Sequence, residues 1–413
     1  MKSFISEFLE PKIDDNLDKI VEFFGDKFQN FPQNIYNSVD LRHSGFKIAP
    51  VDTNCFPAGF NNVVGENLQK AKIQAKLHLE RFHDFSTIKN IAIVGENHTR
   101  NLNYLANLEN LHNIFTFADK NTFICSLDQD RPDSYELDYL DDKKISLNKI
   151  SRINNDLFVN QGTKIDLVIL NHDLTNYVPE IFDNLATKVI PSTNLGWFQR
   201  SKFTHFAIYN DLCKEIAEII DIDPWLISSY QELTLSVNFK DKIGFEELAL
   251  NTQKVLTKIH AKYKEYSIKE TPFCYIKSDS GTYGMAVTQV YDAQDIQDFN
   301  KKIRNKMNMI KDNRQTTSVL IQEGIPTVDL INDATAEPLI YVINGKVIAN
   351  LARSNESRSN ITSLNSTGAI FHDLEQTKNI KIGGGISDMK KIYWLVATLA
   401  SLATSIETKN IST

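Results

Sequence analysis

The sequence predicts an α/β protein of the mixed α+β kind, with a parallel sheet in its N-terminal half. Three observations predict it. The apolar runs Ile88–Val94 and Ile165–Leu170 read as buried strands with helical pattern around them. Each run ends in a polar cluster: Gly95-Glu96-Asn97-His98 after the first, Asn171-His172-Asp173 after the second. The C-terminal half alternates amphipathic helices with short strands, two of which flank a tight Asn344-Gly345 turn.

Residues 1–30 place Phe4, Phe8, Ile20, Phe23 and Phe24 at helical spacing, as helices interrupted at Pro11. Residues 31–65 hold Pro32, Pro50, Pro57, Gly45, Gly59 and Gly65 among charged and amide side chains, and read as a loop-rich, chemically loaded segment. A helix over 66–85 precedes the first strand, a helix at Leu102–Leu111 follows it, and Val189–Ile190 reads as a third strand. In such sheets ligands bind beyond the C-terminal strand ends, where the polar clusters lie. Further on, Ile208, Leu212, Ile216 and Ile219 mark a helix over Phe206–Ile220, and Glu246–Tyr266 is a second. Strands follow at Phe273–Ile276, Ser318–Gln322, Leu339–Ile343 and Lys346–Leu351, with a helix near Ala293–Met309 between the first two. The Ile392–Ile406 run contains Thr398, Ser401, Thr404 and Ser405 and is shorter than the ~20 residues a span needs, so it reads as a buried helix.

The chain has 413 residues, 42% apolar and 23% charged, with a net charge of −7. That is material for two or three domains and argues against a nucleic-acid partner, which would demand a basic face. Four cysteines without a CxxC pair exclude a disulfide framework or thiolate zinc site. The N-terminus carries acids and lacks an apolar signal core, so a cytoplasmic protein without membrane attachment is expected. A homo-oligomer is the base expectation for such a chain.

The chemistry concentrates in residues 273–287, FCYIKSDSGTYGMAV. Lys277 ends a strand, and Gly281 and Gly284 let backbone N–H groups approach a phosphate. No GK[ST] follows, which excludes a Walker A loop, and a strand rather than a helix comes next, which excludes a dinucleotide fingerprint. Farther on, SVLIQEGIP (318–326) ends a buried strand in a segment suited to an adenine edge. Glu337 and Arg353 then lie on strands flanking the Asn344-Gly345 turn. Arg42, His43, Lys47, Asp52, Asn54 and Asn61 in VDLRHSGFKIAPVDTNCFPAGFNN mix cations and acceptors, as recognition of an amino acid requires.

This order resembles the ATP-grasp superfamily over roughly residues 195–370. Segments across nearly the whole chain (VDLRHSGFKIAPVDTNCFPAGFNN, VGENHTRN, NHDLT, GWFQRSKFTHF, LIQEGIPT, AEPLIY) resemble the glutamate–cysteine ligases first recognised in acidophilic iron- and sulfur-oxidising proteobacteria. The resemblance implies an ATP-grasp-like fold. An N-terminal substrate-binding, pre-grasp-like domain (1–195) would precede a catalytic domain (196–413) closed by a C-terminal helix. It implies ATP and Mg²⁺ (or Mn²⁺) as cofactors, and L-glutamate and L-cysteine as substrates of the first step of glutathione synthesis. Lys202 and Lys277 would take the α/β-phosphates, and Ser280, Gly281, Thr282, Tyr283 and Gly284 would close over the β/γ-phosphates. Gln322, Glu323, Gly324 and Ile325 would hold adenine, and Arg353 would stabilise the transferring phosphoryl. Arg42, His43, Lys47, Asp52, Asn54, Asn61, Glu96, Asn97, His98, Arg100, Asn171, His172 and Arg200 would bind substrates, with Arg42 or Arg100 on a carboxylate. His43, His98 and Asp173 are candidates for deprotonating the cysteine amine. Glu337, Asn355 and Asn365 stand where metal ligands belong, although the late acidic-x-Asn pair of many ATP-grasp ligases is missing and SNESRSNITSLNSTG after Arg353 is unusually polar. Another ATP-grasp carboxylate–amine ligase, or a nucleotide-binding regulatory protein with a decayed site, remain as alternatives.

Overall fold

The computed structural model describes residues 3–97, 100–160, 162–281, 287–308, 316–381 and 386–412. The chain opens with helices α1 (Phe4–Asp15) and α2 (Leu17–Asn30). Pro11 lies inside α1 and does not interrupt it, contrary to the sequence expectation. Burial of Ile5, Leu9 and Ile13 in the core offsets the hydrogen bond that proline removes. The break falls at Asn16, whose side chain donates to the Lys12 carbonyl.

Residues 31–65 are more ordered than their composition suggested. They form a hairpin of β1 (Tyr36–His43) and β2 (Ile48–Asn54). Pro50 is tolerated because β2 is an edge strand, and the polar residues face a cleft rather than open solvent. A bulge between Asp40 and Leu41 shifts the register, leaving Asp40 directly opposite Asp52.

Next come α3 (Gly65–Phe82), β3 (Asn90–Gly95), α4 (Leu102–Phe115), β4 (Asn121–Ser126), β5 (Ser134–Asp138) and β6 (Lys144–Lys149). A small three-stranded sheet, β7 (Ser151–Ile153), β8 (Asp156–Val159) and β9 (Thr163–Lys164), leads to β10 (Leu167–Asn171) and β11 (Lys188–Ile190). Together they build a second sheet in the order β11-β10-β3-β4-β6-β5, parallel except at β5. Alternate residues face opposite ways: Ile91 and Ile93 pack under α3 and α4, while Ala92 and Val94 join Val168 and Leu170 beneath the β7–β9 side. The connection reverses direction between β3 and β10, so the crevice beyond their C-terminal ends is a topological switch point.

The C-terminal half runs α5 (Lys202–Ile220), β12 (Gln231–Thr234), α6 (Phe245–Glu265), β13 (Cys274–Ser278) and β14 (Val287–Val290). The helix expected near 293–309 is two pieces, α7 (Gln294–Gln297) and α8 (Lys301–Asn308), because the exposed Asn300 side chain accepts from the Ile303 N–H and starts a new helix. Then come β15 (Val319–Glu323), β16 (Leu330–Ile331), β17 (Ala334–Ile343), β18 (Lys346–Asn355), β19 (Ile370–Asp373), β20 (Ile380–Lys381) and α9 (Ile386–Ser412). Strands β12, β15, β13 and β14 form an antiparallel sheet on α6. Strands β19-β18-β17-β1-β2 form the largest sheet, so strands from both ends of the chain share one ladder across residue 195. Asn344 and Gly345 both have positive φ (54° and 66°), the turn their sequence predicts between β17 and β18. Helix α9 is buried from Ile392 to Ser405, apart from half-buried Trp394. No described helix is long and apolar enough to cross a membrane.

Candidate active site

Two joined chambers lie against the largest sheet, the first shared with the β12–β15 sheet and the second with the C-terminal ends of β3 and β10. The first, about 750 Å³, is lined by Arg42, Lys202, Lys277, Ser280, Gly281, Glu337 and other residues. The second, about 790 Å³, lies at the switch point and includes Asn54, Glu96, Asn171, Asp173 and Trp197 with apolar Phe56, Ala58 and Leu339. Asp40, Asp52, Arg353 and Asn365 line both.

Two lysines from different elements line the first chamber. Lys202 sits at the start of α5, its ammonium 3.8 Å from the centre of the Trp197 ring and 2.6 Å from the Gly281 carbonyl. Gly281 has φ +98°, backbone that favours glycine. Lys277 comes from β13 and donates to the Val51 carbonyl (3.2 Å) and to Gln322 Oε1 (2.7 Å). Burial pushes Lys277 down to about 8, with Lys202 and Arg42 adding to the shift against Asp52. Burial likewise brings Lys202 to about 8, with Arg200 adding and Asp52 opposing. Neither ammonium has a carboxylate within salt-bridge distance among the described residues.

An arginine–carboxylate chain forms the floor. The Glu337 carboxylate is forked, one oxygen accepting from Arg353 (2.6 Å) and the other from Arg42 (3.0 Å). Burial would raise this carboxyl, but the Arg353 and Arg42 guanidinium groups outweigh it and hold it below its usual range. Arg353 also donates to Asp40 at 2.9 Å. Burial raises Asp40 to about 6 despite Arg353, helped by the charges of Glu337 and Asp52. Among the described residues, Arg353 Nη1 makes no hydrogen bond, so two N–H groups face the cleft.

Comparison with known proteins decides the family. The family model described as glutamate–cysteine ligase matches residues 10–408. A solved structure from Methylobacillus flagellatus KT, provisionally described as a gamma-glutamylcysteine synthetase, is 33% identical over 97% of this chain and 96% of its own, with a TM-score of 0.89. The chain belongs to the glutamate–cysteine ligase family. Glutamate–cysteine ligases are enzymes, and this one is a ligase. D-alanyl-alanine synthetase A of Vibrio cholerae and a glutathione synthetase-like effector of Globodera pallida align at 12% and 9% identity. They cover 78% and 88% of this chain and 81% and 82% of their own, with TM-scores of 0.37 and 0.40, too slight a likeness to carry an argument. No curated protein matches.

Within the ligase, the residues singled out from sequence divide into two groups. Arg42, Asp52, Lys202, Lys277, Ser280, Gly281, Glu337, Arg353 and Asn365 line the first chamber, and Asn54, Glu96 and Asn171 the second. Gln322 lies behind Lys277, and Ile325 offers its carbonyl to Arg42. The other group is engaged elsewhere. His43 bonds Asp329 and Ser3 in the interior. Lys47 pairs with Glu323 at 2.8 Å over the Trp225 ring, and the same carboxylate accepts from Trp225 Nε1 and the Tyr230 N–H. Arg200 pairs with Glu407 of α9 (3.0 Å) and donates to the Thr53 carbonyl. Gly324 gives way to the Phe273 ring, which a Cβ there would meet at 2.2 Å. Asn355 bonds Ser366 and Ser357, Asn97 accepts from Ser126, His172 accepts from the Leu174 N–H, and Asn61 and Arg100 line neither chamber. His98, Thr282, Tyr283 and Gly284 lie outside the described residues. Sequence reasoning missed Asp40, Tyr275 and Trp197. Polar Ser38, Asp40 and Arg42 at period two along a buried strand was the signal for the first.

The two lysines predict a pH-dependent affinity for any polyphosphate that enters this chamber. A polyphosphate bound between them would raise both from about 8 toward the ordinary lysine value. Below pH 8 both are already protonated and affinity is flat. Above it, binding takes up protons and affinity falls by up to about tenfold per pH unit per lysine. ADP titrations at pH 8.5 in buffers of different ionisation enthalpy are expected to show this uptake. Identical heats in both buffers would remove the lysines from the phosphates.

Proposed function

We propose that this ligase joins the γ-carboxylate of L-glutamate to the amine of L-cysteine with cleavage of ATP to ADP and phosphate, opening glutathione synthesis. The carrying observation is the meeting of a lysine-lined chamber and an acid- and amide-lined chamber at Arg353, Asp40, Asp52 and Asn365. The first suits a polyphosphate. Glu96 and Asp173 in the second suit the ammonium group of an amino acid, and Phe56, Ala58 and Leu339 suit a small thiol side chain.

The reaction divides into two displacements. A glutamate γ-carboxylate oxygen attacks the γ-phosphorus, the bond to ADP breaks, and an acyl phosphate forms. The cysteine amine then attacks the acyl carbon, phosphate leaves, and the nitrogen loses a proton. Lys202 and Lys277 hold the phosphates in line, and Arg353 Nη1 faces the charge that develops between the chambers. Ser280 and Gly281 wall the first chamber against water, which would hydrolyse the acyl phosphate.

Magnesium, or manganese, would supply charge screening at the phosphoryl oxygens. The residues fit such an ion in part. Both Glu337 oxygens are engaged by arginines and Asn355 is bonded within its loop. Asp52 and Asn365 both line the junction, and an Asp52 oxygen has no hydrogen-bond partner among the described residues. One or two hard oxygen ligands plus substrate phosphates are the usual magnesium set. Among the described residues no three His, Cys, Asp or Glu side chains cluster as a metal cage.

Purified protein given MgATP, glutamate and cysteine is expected to release ADP and γ-glutamylcysteine in equal amounts, and omission of either amino acid should abolish the peptide. ADP release no greater than with ATP alone would end this reading.

A further inference from the structure

We infer that Arg42 is a positioning residue, a clasp that seats residues 360–365 on the first chamber, rather than a ligand for a substrate carboxylate. The argument is one of donor supply. A guanidinium presents its N–H groups on three nitrogens, and here every nitrogen is engaged. Nε donates to Glu337 Oε2 at 3.0 Å. Nη1 donates to the Asn360 carbonyl at 3.0 Å, with the Tyr275 hydroxyl (3.4 Å) and the Ile325 carbonyl (3.5 Å) at longer reach. Nη2 donates to the Thr362 carbonyl at 2.6 Å and stands 3.0 Å from the same Glu337 oxygen. The side chain is 3% exposed. A substrate carboxylate arriving here would find every guanidinium nitrogen already committed.

The partners lie 318 and 320 residues away in sequence, on the polar stretch after Arg353. The same stretch is held at two further points. The Tyr275 hydroxyl donates to the Ile361 carbonyl, and the Thr327 N–H donates to the Asn360 carbonyl at 2.9 Å. Four donors thus converge on three consecutive carbonyls, and Leu364 is fully buried beside them. The consequence lies one turn farther along. Ser363 and Asn365 line the first chamber, and Asn365 reaches the second. In SNITSLN the backbone carbonyls of 360–362 are the docking groups, and the polar side chains of Ser363 and Asn365 form chamber wall. Glu337 ties the clasp to Arg353, with one oxygen on each guanidinium, so anion contact falls to Arg353 Nη1.

The inference takes from the proposed function only that the first chamber receives the nucleotide. It is tested by hydrogen exchange of the 356–368 amides in nucleotide-free protein, by ADP binding, and by steady-state kinetics on Arg42→Lys and Tyr275→Phe. Lysine keeps a charge beside Glu337 but cannot span two carbonyls. Phenylalanine removes one hydroxyl and strands no charge, so it answers even if Arg42→Lys folds poorly. Exchange in 356–368 is expected to rise at least about tenfold in Arg42→Lys, the weight of one charge-assisted hydrogen bond, and by less in Tyr275→Phe. ADP affinity and the KM for ATP should weaken in the same order, with the KM for glutamate and for cysteine unchanged. Unchanged exchange in both variants, or a raised KM for glutamate alone, would overturn the clasp. A protein without any ligase turnover would defeat the proposed reaction, while exchange and ADP binding would still judge Arg42.

Discussion

Lys277→Ala is expected to lower kcat/KM for ATP by about 10²- to 10³-fold, the usual loss when one preorganised donor to a developing anion is removed. The same variant should be no less stable than the parent. The Lys277 ammonium is drawn out of water and, among the described residues, given only two neutral acceptors, Val51 O and Gln322 Oε1, and burial depresses it to about 8. Holding it charged at pH 7 therefore costs folding free energy, which alanine removes. A structural lysine would show the opposite signature, with stability lost and activity spared. An unchanged KM for ATP together with unchanged kcat would take Lys277 out of the site.

That contrast explains how far the site was legible in the sequence. Lys202 and Lys277 could be found because their local setting is distinctive: a helix start after GWFQRS, and a strand end before a glycine loop. Glu337 and Arg353 could be placed on neighbouring strands because the Asn344-Gly345 turn marks a hairpin, but a bulge between Tyr341 and Val342 shifts the register by one and sets Glu337 opposite Arg353 instead of Ala352. Lys47, Glu323, His43 and Arg200, expected at ligands, are found in buried pairs, and the sequence hid this for a common reason. An ion pair buried for architecture uses the same residue types as a ligand site, and only the partner tells them apart. Lys47 meets Glu323 across 276 residues, and Arg200 meets Glu407 across 207. No local pattern records such distances.

The fold shows the same limit. Strands β3 and β10 were legible because burial on both faces makes them continuous apolar runs. The β1–β2 hairpin was not, because its strands carry cleft-facing polar residues and Pro50, and mimic a loop in composition. Its pairing with β17 is a long-range fact, and it brings Asp40 and Asp52 to the junction of the two chambers.

The largest effect is expected at Arg353. Arg353→Ala should reduce kcat by about 10³- to 10⁵-fold, the range for an arginine acting on a transferring phosphoryl. Its Nε and Nη2 are anchored on Glu337 and Asp40, so Nη1 is aimed without further ordering when charge develops. ADP affinity should change far less, since Lys202 and Lys277 remain. Stability carries a second signature. Breaking a buried pair costs ~3–5 kcal/mol, and Arg42, still bonded to Glu337, places this case toward the lower end. Asp40, however, loses its only salt-bridge partner among the described residues. Its carboxyl, held near 6 by burial against the pull of Arg353, must climb further. An acid whose folded pKa exceeds its unfolded value binds more protons in the folded state, so stability falls as pH rises between the two. In the parent protein that contribution is exhausted a little above pH 6. In Arg353→Ala the decline continues through pH 7, so thermal scans should show the gap in Tm between variant and parent widening from pH 6 to pH 8, with Arg353→Lys recovering part of it. A kcat within tenfold of the parent, or a Tm gap independent of pH, would contradict the placement of Arg353 between Asp40 and the reacting phosphate.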